Sequence, residues 1–201
     1  MELCENISYK YFKKINSPII DIARLANFVK NIPSENWDSA TNQICFTHTN
    51  FAPPNLGKQE GCGSLTYNWT KQPFKQSNEI EKRKIVFKEN DFLSFNSYYL
   101  GTPVHDLYIK LKSEFKLGRV RAIKLAPKKC MSWHKDSTHR LHIPVITDEG
   151  CKMIIENEVF HLPANGSIYL CNTKKYHTAI NASHLCNRIH IVVSLLKDYP
   201  L

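Results

Sequence analysis

The second half of the chain carries eight short runs rich in β-branched and aromatic residues, separated by turn-forming residues. From residue 119 onward they read RVRAIKLA, CMSWHK, HRLHIPVI, CKMIIE, VFHL, SIYLCN, HTAIN and RIHIVVSLL. The intervening segments TDEG and PANG contain the Gly, Pro, Asn and Asp residues that turns require. Eight short strands at this spacing are typical of an antiparallel sandwich or barrel, and two four-stranded sheets make a jelly roll. The sequence therefore predicts a mainly β (α+β) fold with a double-stranded β-helix, jelly-roll and cupin-like, over residues 119–196.

Residues 1–118 have a different texture, helical and irregular. The segment SPIIDIARLANFVKNI has apolar residues at helical spacing, with Ser17 as the predicted N-cap and Pro18 at the first helical position. TPVHDLYIKLKSEF predicts a second helix, capped by Thr102 with Pro103 at its first position. We expect these N-terminal helices to pack on the outer face of one sheet.

A long segment, residues 45–82, is rich in Gly, Pro, Asn and Gln. Loops of this length inside a compact domain are usually binding loops or lids, or are disordered. We therefore expect residues 45–82 to contribute to substrate specificity. With 201 residues the chain can form one substantial core but is marginal for two, so we predict a single domain over residues 1–201.

Composition limits the partners and the compartment. The net charge is +9, but the lysines are spread along the chain, and no nucleic-acid-binding motif appears, so a nucleic-acid partner is not expected. No run of about 18 apolar residues predicts a membrane span. The seven cysteines contain no CxxC pair, which argues against a disulfide scaffold or a structural zinc site and favours a cytoplasmic location.

The tetrapeptide WHKD places His134 and Asp136 two residues apart in a segment predicted to be extended. Side chains at i and i+2 of a strand point to the same face. His177 follows 43 residues after His134 and completes a set of two histidines and one carboxylate. Such a triad binds one face of an octahedral iron(II) ion and leaves open positions for an oxo-acid and for O2. His134, Asp136 and His177 are therefore the predicted metal ligands and catalytic residues.

Arg188 begins the strand RIHIVVSLL, eleven residues after His177. A guanidinium buried on a barrel strand requires an anion, and it pairs with a carboxylate through two parallel hydrogen bonds. 2-Oxoglutarate has a distal carboxylate for Arg188 and a keto-acid end for the iron. The pattern therefore predicts Fe(2+) as cofactor, with 2-oxoglutarate and O2 as cosubstrates.

The segment HRLHIPVITDEGCKMIIENEVFHLPANGSIYLCNTKKYHTAINASHLCNRIHIVV resembles the aspartyl/asparaginyl β-hydroxylase family of iron(II)- and 2-oxoglutarate-dependent oxygenases. The resemblance extends over roughly residues 117–196. It implies that His134 and His177 bind iron and that Arg188 holds the distal carboxylate of 2-oxoglutarate. It also implies that Arg140 and His142 lie near the keto-acid end. The implied activity is hydroxylation of an amino acid or a peptidyl residue, with decarboxylation of 2-oxoglutarate to succinate.

Two positions of the chain are compared with the family: Asp136, where members of the family differ among themselves, and Ile123, where this chain departs from them. Some animal members bind iron with two histidines alone, whereas Asp136 stands here at the usual HxD position and predicts a full triad. Those members also place a serine on the preceding strand, where this chain has Ile123. The hydroxyl is therefore missing or comes from elsewhere, such as Tyr169 or Ser132.

Two alternatives follow from the residues themselves. A non-catalytic jelly-roll protein with a binding or structural role would keep the strands without needing the triad, since fold does not determine function. A bulky side chain between His134 and His177 would favour that reading. Arg140, for its part, could be a surface residue paired with Asp148 or Glu149.

Overall fold

The computed structural model describes residues 10–15, 20–49, 61–70 and 82–201, which contain two α-helices and fourteen β-strands. The helices are α1 (Ile22–Lys30) and α2 (Pro103–Glu114). The strands are β1 (Phe12–Ile15), β2 (Gln43–Cys45), β3 (Thr47–His48), β4 (Thr66–Thr70), β5 (Lys82–Val86), β6 (Ser94–Phe95), β7 (Leu117–Leu125), β8 (Lys129–Cys130), β9 (Arg140–Ile146), β10 (Cys151–Ile155), β11 (Glu158–Phe160), β12 (Ile168–Cys171), β13 (His177–Asn181) and β14 (Arg188–Leu195). The mainly β prediction is confirmed.

Two antiparallel sheets dominate the described part of the chain. The larger sheet has six strands in the order β1-β12-β9-β14-β7-β2, and the smaller has four in the order β11-β10-β13-β8. Every predicted run from residue 119 onward contributes a strand, and β1 and β2 extend the larger sheet at its two edges. Two further pairs, β3–β6 and β4–β5, form small separate sheets.

The outer face of the larger sheet packs against the helices. In β14 this face carries Ile189, Ile191, Val193 and Leu195, which are all buried. They belong to one core cluster with residues of both helices, including Leu25, Val29, Val104, Leu107 and Leu111. Burying each such side chain contributes about 1.5–3 kcal/mol. The predicted packing of the helices on one sheet therefore supplies the main core.

The opposite face of the larger sheet turns toward the smaller sheet. A second, smaller core cluster lies there and includes Met153, Ile155 and Phe160 with Tyr169 and Cys171. The remaining positions of this inner face are largely polar, which is the setting of the site described below.

Helix α1 begins later than predicted. Ile22 is its first residue, and Asp21 caps it by accepting a 2.9 Å hydrogen bond from the backbone N–H of Arg24. The predicted start was therefore wrong, and Ser17 and Pro18 themselves lie outside the described residues. The capping aspartate satisfies an N–H that has no partner inside the helix. Helix α2 begins at Pro103 as predicted.

Part of the predicted loop 45–82 is ordered into strands. β3 and β4 lie within it, and β5 starts at its end. The prediction of one continuous irregular loop is therefore wrong, while residues 50–60 and 71–81, where a substrate loop was expected, lie outside the described residues. Neither α1 nor α2, the helices of the described segments, has the length and apolar character needed to cross a membrane.

Candidate metal centre

The backbone brings His134 and His177 directly opposite each other. The two residues form an isolated antiparallel bridge, with N–H to O distances of 3.1 and 2.8 Å. Asp136 lies beyond the bridge, and its backbone N–H donates to the carbonyl of Thr173 at 2.8 Å. WHKD is therefore extended at a single bridge rather than along a strand, yet the His134 and Asp136 side chains still point into the same space.

The three predicted ligands form one compact cluster. Their potential ligand atoms all lie within 4.8 Å of one another. Nε2 of His134 is 3.9 Å from Oδ1 of Asp136, and Nε2 of His177 is 3.3 Å from its Oδ2. The imidazole ring centres are 4.3 Å apart. No bulky side chain can separate rings at this distance, so the feature that would favour a non-catalytic protein is not observed.

Backbone carbonyls set the tautomer of both rings. Nδ1 of His134 lies 2.7 Å from the carbonyl oxygen of Ser132. Nδ1 of His177 lies 2.9 Å from that of Lys175. A carbonyl can only accept, so each Nδ1 carries a proton, and in the neutral ring Nε2 keeps its lone pair. Metal-binding histidines are oriented by this kind of hydrogen bond.

The Asp136 carboxylate is ionised and lacks a donor for one of its oxygens. Burial alone would raise its pKa, but the Arg140 guanidinium and the His177 ring outweigh burial and lower the pKa to about 2. Its buried Oδ2 receives no hydrogen bond from the described residues. Nε2 of His177 and Oδ2 of Asp136 are 3.3 Å apart, and either a proton or a metal ion between them would relieve the repulsion of their lone pairs. The donor set therefore fits a metal ion.

Arg140 is buried and joins the triad to a chain of charges. Its Nη2 lies 2.6 Å from Oδ1 of Asp136 and 3.7 Å from Oε1 of Glu89. Glu89 in turn accepts two hydrogen bonds from Arg119, at 2.7 and 2.8 Å. The alternative of surface pairing with Asp148 or Glu149 is therefore wrong. In this structure Arg140 contacts the Asp136 carboxylate itself.

Three further charged residues near the site, which the sequence patterns did not predict, are Glu89, Arg119 and Arg121. RVRAIKLA contained a signal for the two arginines, because two cations at i and i+2 in an otherwise apolar strand share one face. Arg121 is buried, and its Nη1 donates to Oε1 of Gln43 at 3.0 Å. Its Nε and Nη2 find no hydrogen-bond partner among the described residues. Glu89 lies in a short turn, where no sequence pattern pointed to it.

The inner face also buries Arg188, His142 and His190. Arg188 has no carboxylate partner within the described segments, and its Nη2 lies 3.1 Å from Nδ1 of His190. Burial, followed by the charges of Arg188 and Arg140, keeps the pKa of His142 well below its usual range, so this ring is neutral. Neither ring nitrogen of His142 has a hydrogen-bond partner in the described residues. These groups are polar and buried, and no carboxylate of the described segments pairs with them.

All six predicted site residues line one cavity. His134, Asp136, His177, Arg140, His142 and Arg188 surround a space of about 30 Å³, together with Ile123, Met131, Met153, Ala179 and Val192. Ile123 supplies an apolar wall of this cavity. Of the two hydroxyls considered as substitutes, Tyr169 lies opposite His142 in the pairing of β12 with β9, and Ser132 is exposed.

No protein-family model matches the chain, and no curated protein matches it. Solved structures do match it, among them two that align over most of its length. One is described as IDO from Bacillus thuringiensis, with 13% sequence identity, 92% of this chain and 90% of that chain covered, and a TM-score of 0.45. The other is AviO1 from Streptomyces viridochromogenes, with 13% identity, 94% and 92% covered, and a TM-score of 0.42. Similarity at this level does not indicate what the protein does.

Proposed function

We propose that this protein is an iron(II)- and 2-oxoglutarate-dependent oxygenase that hydroxylates an amino acid or a peptidyl residue. The observation that carries the proposal is the arrangement of two Nε2 lone pairs and one ionised carboxylate around a common point. The resemblance to the aspartyl/asparaginyl β-hydroxylase family adds support. So does the sheet order, which is compatible with a jelly roll whose interior holds the site.

The donor set suits iron(II), and the same residue types also hold catalytic zinc in other proteins. Two imidazoles and one carboxylate on one side of a metal, with the other side open, are the ligands of non-haem iron(II) oxygenases. When bound, iron(II) and 2-oxoglutarate supply the oxidative chemistry: O2 is consumed, 2-oxoglutarate becomes succinate and CO2, and a C–H bond of the substrate gains a hydroxyl group. The protein binds, orients and shields the reactants.

Each polar residue of the cavity has a role in that scheme. The Arg188 guanidinium, which has no carboxylate partner among the described residues, binds the distal carboxylate of 2-oxoglutarate. The neutral His142 ring donates a hydrogen bond near the keto-acid end from a nitrogen that no described residue contacts by a hydrogen bond. Arg140 orients the Asp136 carboxylate and lies close enough to contact the same end of the cosubstrate.

The cavity is too small, as it stands in this structure, to hold 2-oxoglutarate. A space of about 30 Å³ holds an ion or a water molecule but not a five-carbon diacid. The walls that can give way are the flexible side chains of Met131 and Met153, since methionine adapts to changes in shape. Binding of 2-oxoglutarate therefore requires these side chains to move.

The test is turnover with purified protein, iron(II) and 2-oxoglutarate in air. Succinate formation is measured against a panel of free amino acids and short peptides, and mass spectrometry identifies any product that gains one oxygen atom. We expect substrate-dependent succinate and one oxidised product. No succinate above the level of the His177→Ala variant, with every member of the panel, would contradict the proposal and favour a non-catalytic binding protein.

The number of iron ligands is tested separately. If Asp136 coordinates the metal, Asp136→Ala loses nearly all turnover and binds iron weakly, as His134→Ala does. Near-normal hydroxylation by Asp136→Ala would instead support coordination by the two histidines alone. Iron content measured after gel filtration distinguishes lost binding from lost chemistry.

A further inference from the structure

We propose a second metal site, built by Asp148, Cys151 and Cys186, that takes a thiophilic divalent cation of the Zn2+ type. Their potential ligand atoms all lie within 4.8 Å of one another. The site is separate from the candidate iron centre. Cys151 pairs with Asn181 at one end of β13, and His177 stands at the other end, four residues or about 13 Å away along the strand.

The turn between β9 and β10 presents two of the ligands. Asp148 and Cys151 are three residues apart, a spacing used by structural zinc sites. The backbone N–H of Cys151 donates to the Asp148 carbonyl at 2.9 Å and closes the turn. The backbone N–H of Gly150 donates to Oδ1 of Asp148 at 2.8 Å and fixes the carboxylate. Oδ1 lies 3.7 Å from the Cys151 sulfur, so the pair is already converged.

The loop between β13 and β14 presents the third ligand. The Cys186 sulfur lies 3.6 Å from Oδ2 of Asp148. The Asn181 side chain holds this loop, because its Nδ2 donates to the carbonyl of Cys186 at 2.9 Å. Ala182 also donates to the carbonyl of Gly150 at 3.0 Å. Both segments are therefore fixed by bonds that do not involve the sulfur atoms.

Gly150 is the residue that lets the two segments approach. A Cβ atom at this position would lie 2.8 Å from the backbone nitrogen of Ser183, closer than real Cβ atoms approach a neighbour. The close approach brings Asp148 and Cys186 together across a sequence separation of 38 residues. The ligand geometry is therefore a consequence of the fold rather than of a local cysteine motif.

The donor types select the cation. Two thiolates favour a soft or borderline ion, and Zn2+ accepts sulfur and carboxylate oxygen together. On binding, two metal–sulfur bonds and one metal–oxygen bond form, two S–H bonds break, and two protons leave to solvent. Cys151 is buried whereas Cys186 and Asp148 are half-buried, so water can take the fourth tetrahedral position. The bound ion would link the turn between β9 and β10 to the loop between β13 and β14, which leads directly into Arg188.

Cobalt(II) is the probe that separates this site from the iron centre. It replaces zinc, and cobalt bound by thiolate gives a sulfur-to-metal charge-transfer absorption that a site of histidine and carboxylate cannot give. The full-length protein is kept reduced, stripped of metal and titrated with cobalt(II). We expect the charge-transfer band to saturate with one equivalent bound to thiolate and to disappear on addition of zinc.

Substitutions test whether the charge-transfer band comes from cobalt bound to Cys151 and Cys186. We expect the band to persist in His177→Ala, so that failure of the iron centre leaves this proposal standing. Cys186→Ser should bind the thiolate-coordinated ion at least about 100-fold more weakly. The double variant Cys151→Ser/Cys186→Ser should lose the band entirely. Cys130→Ser, which removes an exposed thiol outside the cluster, should leave it unchanged.

Three outcomes would overturn the proposal. The first is no charge-transfer band in the reduced wild-type protein, a result that does not depend on any variant folding. The second is a band that is unchanged in a Cys151→Ser/Cys186→Ser variant with native circular dichroism. The third is a Cys151–Cys186 disulfide found by non-reducing mass spectrometry that resists reduction in the folded protein.

Discussion

The two faces of the larger sheet are made from the same strands but from different kinds of residues. The outer face carries Leu141, Ile143 and their neighbours and belongs to the core shared with the helices. Leu141 and Ile143 lie on β9, and the inner face of that strand carries Arg140 and His142, which line the cavity. Along β14, Ile189 and Ile191 alternate with Arg188 and His190 in the same way.

Adjacent residues of one strand therefore have different roles: one contributes to the stability of the core, and the next contributes to the candidate site. The outer face gains free energy by removing apolar surface from water. The inner face buries charges whose desolvation is costly, and it recovers that cost only where ion pairs such as Glu89 with Arg119 are complete. We therefore expect substitutions on the two faces to have different consequences, and the following variants test that expectation.

The largest expected effect is on the inner face, at the candidate metal centre. His177→Ala removes one of the three proposed protein ligands, and we expect iron binding and turnover to be lost while the fold is retained. His105→Ala, on helix α2 away from the cavity, is the matched control and should keep both. Metal content by atomic absorption and succinate formation are the measurements. Iron content equal to that of the wild type in His177→Ala would refute the ligand assignment.

Glu89→Gln tests whether the inner face contains an ion pair needed for stability. The change leaves the buried Arg119 charge without its partner, and we expect a loss of about 3–5 kcal/mol in the free energy of unfolding. Glu114→Gln, at an exposed position, should be close to neutral. Urea denaturation followed by circular dichroism measures both.

The same pair makes a prediction about pH. Burial would raise the pKa of Glu89, but its hydrogen bonds and the charge of Arg119 outweigh burial and lower the pKa below 4.5. Because the folded value is depressed, this contribution to stability is present above pH 4.5 and is lost as the pH falls through the folded pKa. The stability of Glu89→Gln should therefore depend less on pH in that range than the stability of the wild type. Parallel pH profiles would show that the pair does not behave as described.

Arg188→Lys tests the role of the guanidinium. Lysine keeps the charge but lacks the paired donors that match a carboxylate. We expect the KM for 2-oxoglutarate to rise about 10- to 100-fold, equivalent to about 1.4–2.7 kcal/mol, with iron content unchanged. An unchanged KM would shift the binding of the distal carboxylate to another arginine, and the unpaired donors of Arg121 make it the next to test.

The smallest effect on stability is expected for His142→Leu, which we compare with a substitution of its neighbour Leu141 on β9. His142→Leu removes a buried ring whose nitrogens have no partner in the described residues, so the free energy of unfolding should change by no more than about 1 kcal/mol. Leu141→Ala on the outer face should cost about 2–5 kcal/mol. Only His142→Leu should raise the KM for 2-oxoglutarate. Equal destabilisation by both variants would remove the distinction between the faces.

Much of the fold follows from short-range patterns in the sequence. Strands β7 to β14 match the eight predicted runs because turn residues and β-branched residues act locally. The pairing of His134 with Asp136 could be predicted for the same reason, since a spacing of two residues sets a common direction, whereas the approach of His177 depends on a long-range bridge. The start of α1 could not, because Asp21 and Ser17 are both acceptable caps and only the packed structure chooses between them.

Local patterns in the sequence were sufficient to predict strands β7 to β14 and the common direction of the His134 and Asp136 side chains. The partners of the buried charges depend on the tertiary structure. Glu89 reaches Arg119 across 30 residues, and Asp148 meets Cys186 across 38. The absence of a CxxC motif concealed that second cluster. Local patterns encode the direction of a side chain, but the contact between two distant side chains depends on how the sheets and loops pack, and that packing is a property of the whole chain.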